Sequence, residues 1–148
     1  MQHLVKSVLM VFLATGLLGI SGCGDGDEPL SLEATSWRLQ GWSVSSLYPG
    51  DFEITAQFVE GKMTGKAAVN NYTGPYDAGV AGADGTGEFS AGPLASTKMA
   101  GPEPAMRAES TYFALLEQAR SYRLDDSGLT LLDGNGNELL IYEPVTSG

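Results

Sequence analysis

The stretch Gly65-Lys66-Ala67-Ala68-Val69-Asn70-Asn71-Tyr72-Thr73-Gly74-Pro75-Tyr76 decides the fold, because it joins an extended run to a turn. Met63, Gly65, Ala67 and Val69 alternate with polar or small residues, which predicts a strand with one buried face. Asn70 and Asn71 are predicted to end this strand, since their amide side chains hydrogen-bond the local backbone. Gly74-Pro75 is predicted to turn the chain, and Tyr76 to begin a new strand.

The segments on either side of this stretch favour antiparallel β-structure. Residues 30–35 are predicted to form a short helical turn, and the alternation at 52–58 predicts a strand that Glu60-Gly61 joins to the central one. Further strands are predicted at 37–44, 76–80, 86–90, 121–124, 129–132 and 138–142. The turns between them are too short for parallel crossovers.

One helix is predicted at about 104–120, beginning at Pro104. Its apolar stripe consists of Met106, Tyr112, Phe113 and Leu116, which favours a helix packed on a sheet over a cofactor site. We therefore predict a mainly β (α+β) domain: a curved antiparallel sheet or barrel-like fold of about eight strands with one packed helix.

Three blocks of residues resemble the motifs of the META/HslJ domain family, the first of them Ser36-Trp37-Arg38-Leu39 near the domain start. Asn70, Tyr72, Gly74 and Tyr76 match its central motif, and residues 92–101, with Thr97 and Met99, match a third block in the family order. The resemblance covers roughly residues 30–143. It implies the fold above and a non-enzymatic role, since relatives have been linked to heat shock, drug tolerance and secretion-related phenotypes.

Val69 and Gly101 stand where the two family motifs usually carry cysteines. The resemblance implies that these cysteines form a disulfide in many relatives. We expect Val69 to be buried, because it continues the inward face of the central strand. We also expect the Cα atom of Gly101 within about 7 Å of that of Val69, the span a disulfide permits.

The first 22 residues have the features of a lipoprotein signal peptide. A polar start with Lys6 precedes an apolar run, and Ile20-Ser21-Gly22-Cys23 is typical of a lipoprotein cleavage box. We expect Cys23 to carry diacylglycerol and a palmitate-type acyl chain, and residues 23–30 to form an acidic flexible tether to a domain at 31–148. Gly24 favours the outer membrane facing the periplasm, if the cell has two membranes.

The composition restricts the chemistry and the partners. The net charge of −10 disfavours nucleic acid and leaves the lipid on Cys23 as the expected link to the membrane. The only histidine, His3, lies in the signal peptide, and Cys23 is the only cysteine. The sequence therefore predicts no histidine-based or thiol-based catalysis, no metal site and no cofactor.

Two functions remain open. The first is a lipid-anchored, non-enzymatic cell-envelope domain that contacts an unknown envelope protein or supports stress tolerance. The second is binding of a small apolar ligand within the barrel-like sheet, which requires a cavity of several hundred Å³. The role of the family-motif residues also has two possible interpretations. They form either a recognition surface or a structural motif, with Asn70 satisfying backbone groups, Tyr72 packed and Met99 filling the core.

Overall fold

The computed structural model describes residues 29–43 and 46–146. The predicted signal peptide, Cys23, most of the tether, and Val44 lie outside the described residues. The elements are β1 (Thr35–Trp42), a 3₁₀ turn (Pro49–Asp51), β2 (Thr55–Val59), β3 (Lys62–Ala67), β4 (Asn70–Ala78), β5 (Thr86–Ala91), β6 (Ala95–Ser96), α1 (Glu103–Gln118), β7 (Ser121–Asp125), β8 (Gly128–Leu132) and β9 (Glu138–Pro144).

Eight of these strands close into an antiparallel barrel. The order around the ring is β1-β2-β3-β4-β5-β7-β8-β9, and β9 pairs with β1 to complete it. The short β6, which the sequence analysis missed, pairs with the first half of β4. The predicted mainly β fold with one helix is confirmed.

The hairpin that joins β3 to β4 differs from the prediction. β3 ends at Ala67, and Ala68 and Val69 form a two-residue turn in which the Val69 N–H donates to the Ala67 carbonyl at 2.8 Å. Ala68 has a φ of 68°, so this is a γ-turn in the left-handed region. Asn70 therefore begins β4 instead of ending β3, and the expected continuous inward face stops at Ala67.

The predicted turn at Gly74-Pro75 is also wrong, because β4 runs through both residues. They pair with Met63 and Lys62 of β3. On its other side β4 pairs with β6 at 72–73 and with β5 at 76–78. Pro75 thus lies where β4 changes partner, a position at which a missing N–H is tolerated.

Each end of the barrel is closed by a different segment. Helix α1 contacts β3, β5 and β9, which lie on different sides of the ring, so it covers one end. Residues 30–34 cross the other end. The Leu30 carbonyl accepts the Ala81 N–H, and the Ala34 N–H donates to the Phe58 carbonyl. Leu32, between them, is buried, and its segment is no helical turn because Ala34 has a φ of 62°.

The core lies between these two closures. The alternation of β2 is confirmed, since Ala56 and Phe58 are buried together with the preceding Ile54. The buried face of α1 is formed by Ala108, Glu109, Tyr112, Leu115 and Leu116. It shares Tyr112 and Leu116 with the predicted stripe, whereas Phe113 is only partly buried. Within the described ranges, no helix is long and apolar enough to span a membrane.

Candidate functional site

Asn70 links the β3–β4 hairpin to helix α1. Its backbone N–H donates to Oε2 of Glu109 at 2.7 Å, and its Nδ2 donates to Oε1 at 2.8 Å. Asn70 and Glu109 are both buried. The Glu109 carboxylate therefore fixes the first residue of β4 against the helix through two hydrogen bonds, although the two residues are far apart in the sequence.

The side chain of Asn70 also holds the segment that precedes the helix. Its Oδ1 accepts the Thr97 hydroxyl at 2.8 Å and the Met99 N–H at 2.7 Å, while Nδ2 also donates to the Met99 carbonyl at 3.1 Å. The family-motif residues Asn70, Thr97 and Met99 thus form one network. Met99 takes part through its backbone, and its side chain is 54% exposed, so the expectation that it fills the core is wrong.

Three tyrosine hydroxyls form a chain through the barrel interior. Tyr72 on β4, Tyr112 on α1 and Tyr142 on β9 are joined by O···O distances of 2.8 and 3.0 Å. Strands β4 and β9 are four places apart in either direction around the eight-stranded ring. The chain therefore crosses the barrel from one wall to the opposite wall, and Tyr112 is its central member.

The direction of the tyrosine chain is set by a carbonyl group. The Tyr72 hydroxyl donates to the Thr55 carbonyl at 2.7 Å. Since a hydroxyl has one proton and a carbonyl can only accept, Tyr112 must donate to Tyr72, and Tyr142 to Tyr112. Burial raises the pKa of all three phenols well above the usual value of 10. The chain is therefore neutral across the physiological range.

The other two residues of the central motif shape the wall of the barrel. Tyr76 packs edge-on against Phe58, with ring centroids 4.8 Å apart, and donates its hydroxyl to Glu33 at 2.8 Å. Burial, followed by the hydrogen bond to Glu33, raises the pKa of Tyr76 to about 12. A Cβ at Gly74 would lie 2.6 Å from the Pro93 carbonyl oxygen, so glycine lets the chain before β6 approach β4 closely.

Val69 and Gly101 are adjacent, as the resemblance implied. A Cβ at Gly101 would lie 3.5 Å from the Cβ of Val69, within the range found in disulfides. Adding a Cα–Cβ bond of about 1.5 Å at each side keeps the two Cα atoms within the predicted 7 Å or so. Val69 is only half-buried, however, because it lies in the turn and not on the inward face of β3.

The surface carries several shallow depressions. One of about 460 Å³ lies between α1 and residues 91–98, with Leu94, Phe113 and Leu116 beside Lys98 and Glu117. Others, of about 350–420 Å³, lie against the strands. Within the described residues, no three His, Cys, Asp or Glu side chains are grouped as a metal site would require.

The fold and the interior together define a small closed β-barrel, whose interior contains apolar side chains and Tyr112 of the helix. The chain belongs to the META domain family, whose model matches residues 30–146. It is also similar to the NMR structure of a protein from Burkholderia xenovorans, with a TM-score of 0.62 and 24% identity over 78% of this chain and 85% of the other. That likeness concerns the fold alone. Comparison with curated proteins gave no match.

Two residues of the interior network, Glu109 and Tyr142, and the polar role of Tyr112 were not predicted from the sequence. A signal for Glu109 was present. It lies three residues before Tyr112 and seven before Leu116, on the apolar stripe of the helix. A carboxylate on such a stripe indicates a buried partner that donates hydrogen bonds to it.

Proposed function

We propose that this META domain is a lipid-anchored, non-enzymatic protein of the cell envelope. The acyl chains on Cys23 hold it to the membrane, and its outer surface contacts another envelope component or supports stress tolerance. In a cell with two membranes it lies on the outer membrane and faces the periplasm.

The filled barrel interior carries this proposal. Tyr72, Tyr112 and Tyr142 join opposite walls by hydrogen bonds, while α1 and Leu32 close the two ends. A lipocalin-type barrel instead leaves a cavity for its ligand. The depressions described above are open to solvent, so a partner is expected to dock from outside.

The lipid anchor is supported by the lipoprotein box Ile20-Ser21-Gly22-Cys23 and by the charge of the domain. With 18 acidic residues against 8 basic ones, the chain offers little attraction to an anionic bilayer. Two or three acyl chains, each CH₂ contributing about 0.8 kcal/mol, hold a protein stably.

Replacing Cys23 by Ala tests the anchor. We expect the unprocessed precursor to accumulate without acyl groups, because no thiol remains to accept the lipid. Gly22→Ala is the matched control, since it keeps a small residue before the cysteine and should be processed normally. Intact mass of the wild-type protein should show the added acyl groups. Processing of Cys23→Ala to the wild-type mature length, or a wild-type protein without acyl mass, would contradict the proposal.

A second experiment separates an outward-acting domain from an apolar-ligand carrier. Organic extraction of the purified protein, followed by mass spectrometry, should release no apolar molecule in stoichiometric amount beyond the covalent acyl chains. A deletion strain under heat or drug stress should be rescued by wild type and much less by Cys23→Ala. Full rescue by the unanchored variant, or a stoichiometric apolar molecule in the extract, would count against the proposed role.

A further inference from the structure

We propose that one end of the barrel rests on the lipid surface, so that helix α1 faces away from the membrane. This end, called here the N-terminal rim, comprises residues 30–34, 59–62, 79–85, 125–128 and 144–146. The inference rests on the proposed lipid anchor at Cys23. It adds which face of the domain meets the bilayer and what kind of lipid that face accepts.

Four of the seven exposed large apolar residues in the described part of the chain lie on this rim. Leu30, Val59, Val80 and Val145 are between 41% and 65% exposed. Hydrogen bonds fix their surroundings: the Leu30 carbonyl accepts the Ala81 N–H at 3.1 Å, and the Val145 N–H donates to the Ser36 carbonyl at 3.0 Å. These side chains therefore project from a rigid edge, the arrangement that lets apolar groups enter a bilayer interface.

The chain leading to the anchor departs from the same rim. Cys23 is seven residues before Leu30, and covalent geometry limits this span to about 23 Å at about 3.3 Å per residue. The helix-covered end lies a full strand length further away. A lipid on Cys23 consequently brings the rim within reach of the membrane, nearer than the opposite end.

The charge of the rim indicates which kind of lipid surface the rim can contact. Its exposed carboxylates include Glu60, Asp84 and Asp126, while Lys62 is an exposed cation on the same edge. An anionic lipid surface repels such an edge, and a zwitterionic one does not. The occupant we infer is a zwitterionic phospholipid surface, with the apolar side chains in shallow contact and the carboxylates in the hydrated headgroup layer.

The matched variants Val80→Cys and Met99→Cys test this orientation in the full lipidated protein. Both side chains are more than half exposed, and Met99 lies at the helix-covered end. Each new thiol is labelled with an environment-sensitive dye, since Cys23 is consumed by lipid. On phosphatidylcholine vesicles that carry nitroxide-labelled acyl chains, the dye at 80 should be quenched about twofold more than the dye at 99. Replacing half of the lipid by phosphatidylglycerol should reduce quenching at 80.

Three results would overturn the inference, and they are separable. Equal quenching at both positions, or stronger quenching at 99, on protein that floats with the vesicles would refute the orientation while leaving the anchor intact. Quenching at 80 that rises with phosphatidylglycerol would refute the zwitterionic surface. Protein that fails to float and shows no acyl mass on Cys23 would refute the proposed anchor itself, and the orientation with it. Circular dichroism of both variants verifies that the barrel is folded.

Discussion

The contact between Val69 and Gly101 leads to a prediction about a disulfide this chain lacks. A Cβ at Gly101 would be 3.5 Å from the Cβ of Val69, so Val69→Cys with Gly101→Cys places two thiols at bonding geometry. The bond would close a loop of about 30 residues, for which the chain-entropy model gives about 3.6 kcal/mol. Allowing for strain, we expect a gain of about 2–4 kcal/mol in the free energy of unfolding.

The assay compares oxidised and reduced forms of the double variant in a Cys23→Ala background, which removes the third thiol. Thiol titration should show that the pair oxidises spontaneously in air. Urea unfolding should then give a midpoint that falls on addition of reductant. Thiols that stay free, or an oxidised form no more stable than the reduced one, would refute the geometry and with it the alignment of the two family motifs.

Single substitutions test the same contact without a covalent bond. A Cβ at Gly101 would also be 2.7 Å from Cγ2 and 3.0 Å from Cγ1 of Val69. Gly101→Ala alone should therefore destabilise the domain by about 1–3 kcal/mol through overpacking. In a Val69→Ala background the γ-carbons are gone, and most of that cost should disappear. Additive effects of the two substitutions would contradict the contact, since touching residues show coupling.

Three further predictions concern the hairpin turn and the tyrosine chain. Ala68→Gly should stabilise the domain by about 0.5–1 kcal/mol in urea unfolding, because glycine accepts a φ of 68° without steric cost; the control Ala78→Gly, on a strand, should destabilise it. Because the pKa values of Tyr72, Tyr112 and Tyr142 are raised in the folded protein, these residues contribute stability below pH 10, the usual pKa of an unfolded tyrosine. This contribution is lost as the pH rises above 10. The free energy of unfolding, measured by urea unfolding between pH 8 and 11, should fall by up to about 4 kcal/mol per pH unit above 10, and a flat profile would contradict the burial. Tyr72→Phe should lower the free energy of unfolding by about 2–4 kcal/mol, because it leaves the Thr55 carbonyl and the hydroxyl proton of Tyr112 without partners. Tyr142→Phe removes only one donor and should lower it by about 1 kcal/mol. Equal costs for the two would contradict the assigned direction, and a larger cost for Tyr142→Phe would show that the chain runs the other way.

The fold class was predictable because it depends on a local pattern. The alternation through Ile54, Ala56 and Phe58 and the pair Glu60-Gly61 specify a hairpin by themselves. Glu60 and Gly61 have φ values of 52° and 71°, the values of a type I′ turn. Such signals lie within a few residues of the structure they determine.

The errors arose where distant partners decide the conformation. Ala68 adopts a left-handed conformation although its residue type does not favour one, and the hairpin on either side of it holds it there. Asn70 resembles a local strand terminator, yet its bonds go to Glu109 and Met99, which lie 39 and 29 residues further along the chain. The short β6 pairs only because Gly74 lets its segment approach. None of these partners is visible in the residues nearby.

The pairing of β1 with β9 has a consequence for when this domain can fold. The ring is completed by joining the first strand of the domain to the last. A chain that emerges N-terminus first therefore has no partner for one edge of β1 until β9 has been delivered. Contacts of such high sequence separation slow folding, so the barrel acquires its stability in a late, cooperative step. Any chain shortened before Glu138 keeps an unpaired edge, and such an edge pairs readily with other chains.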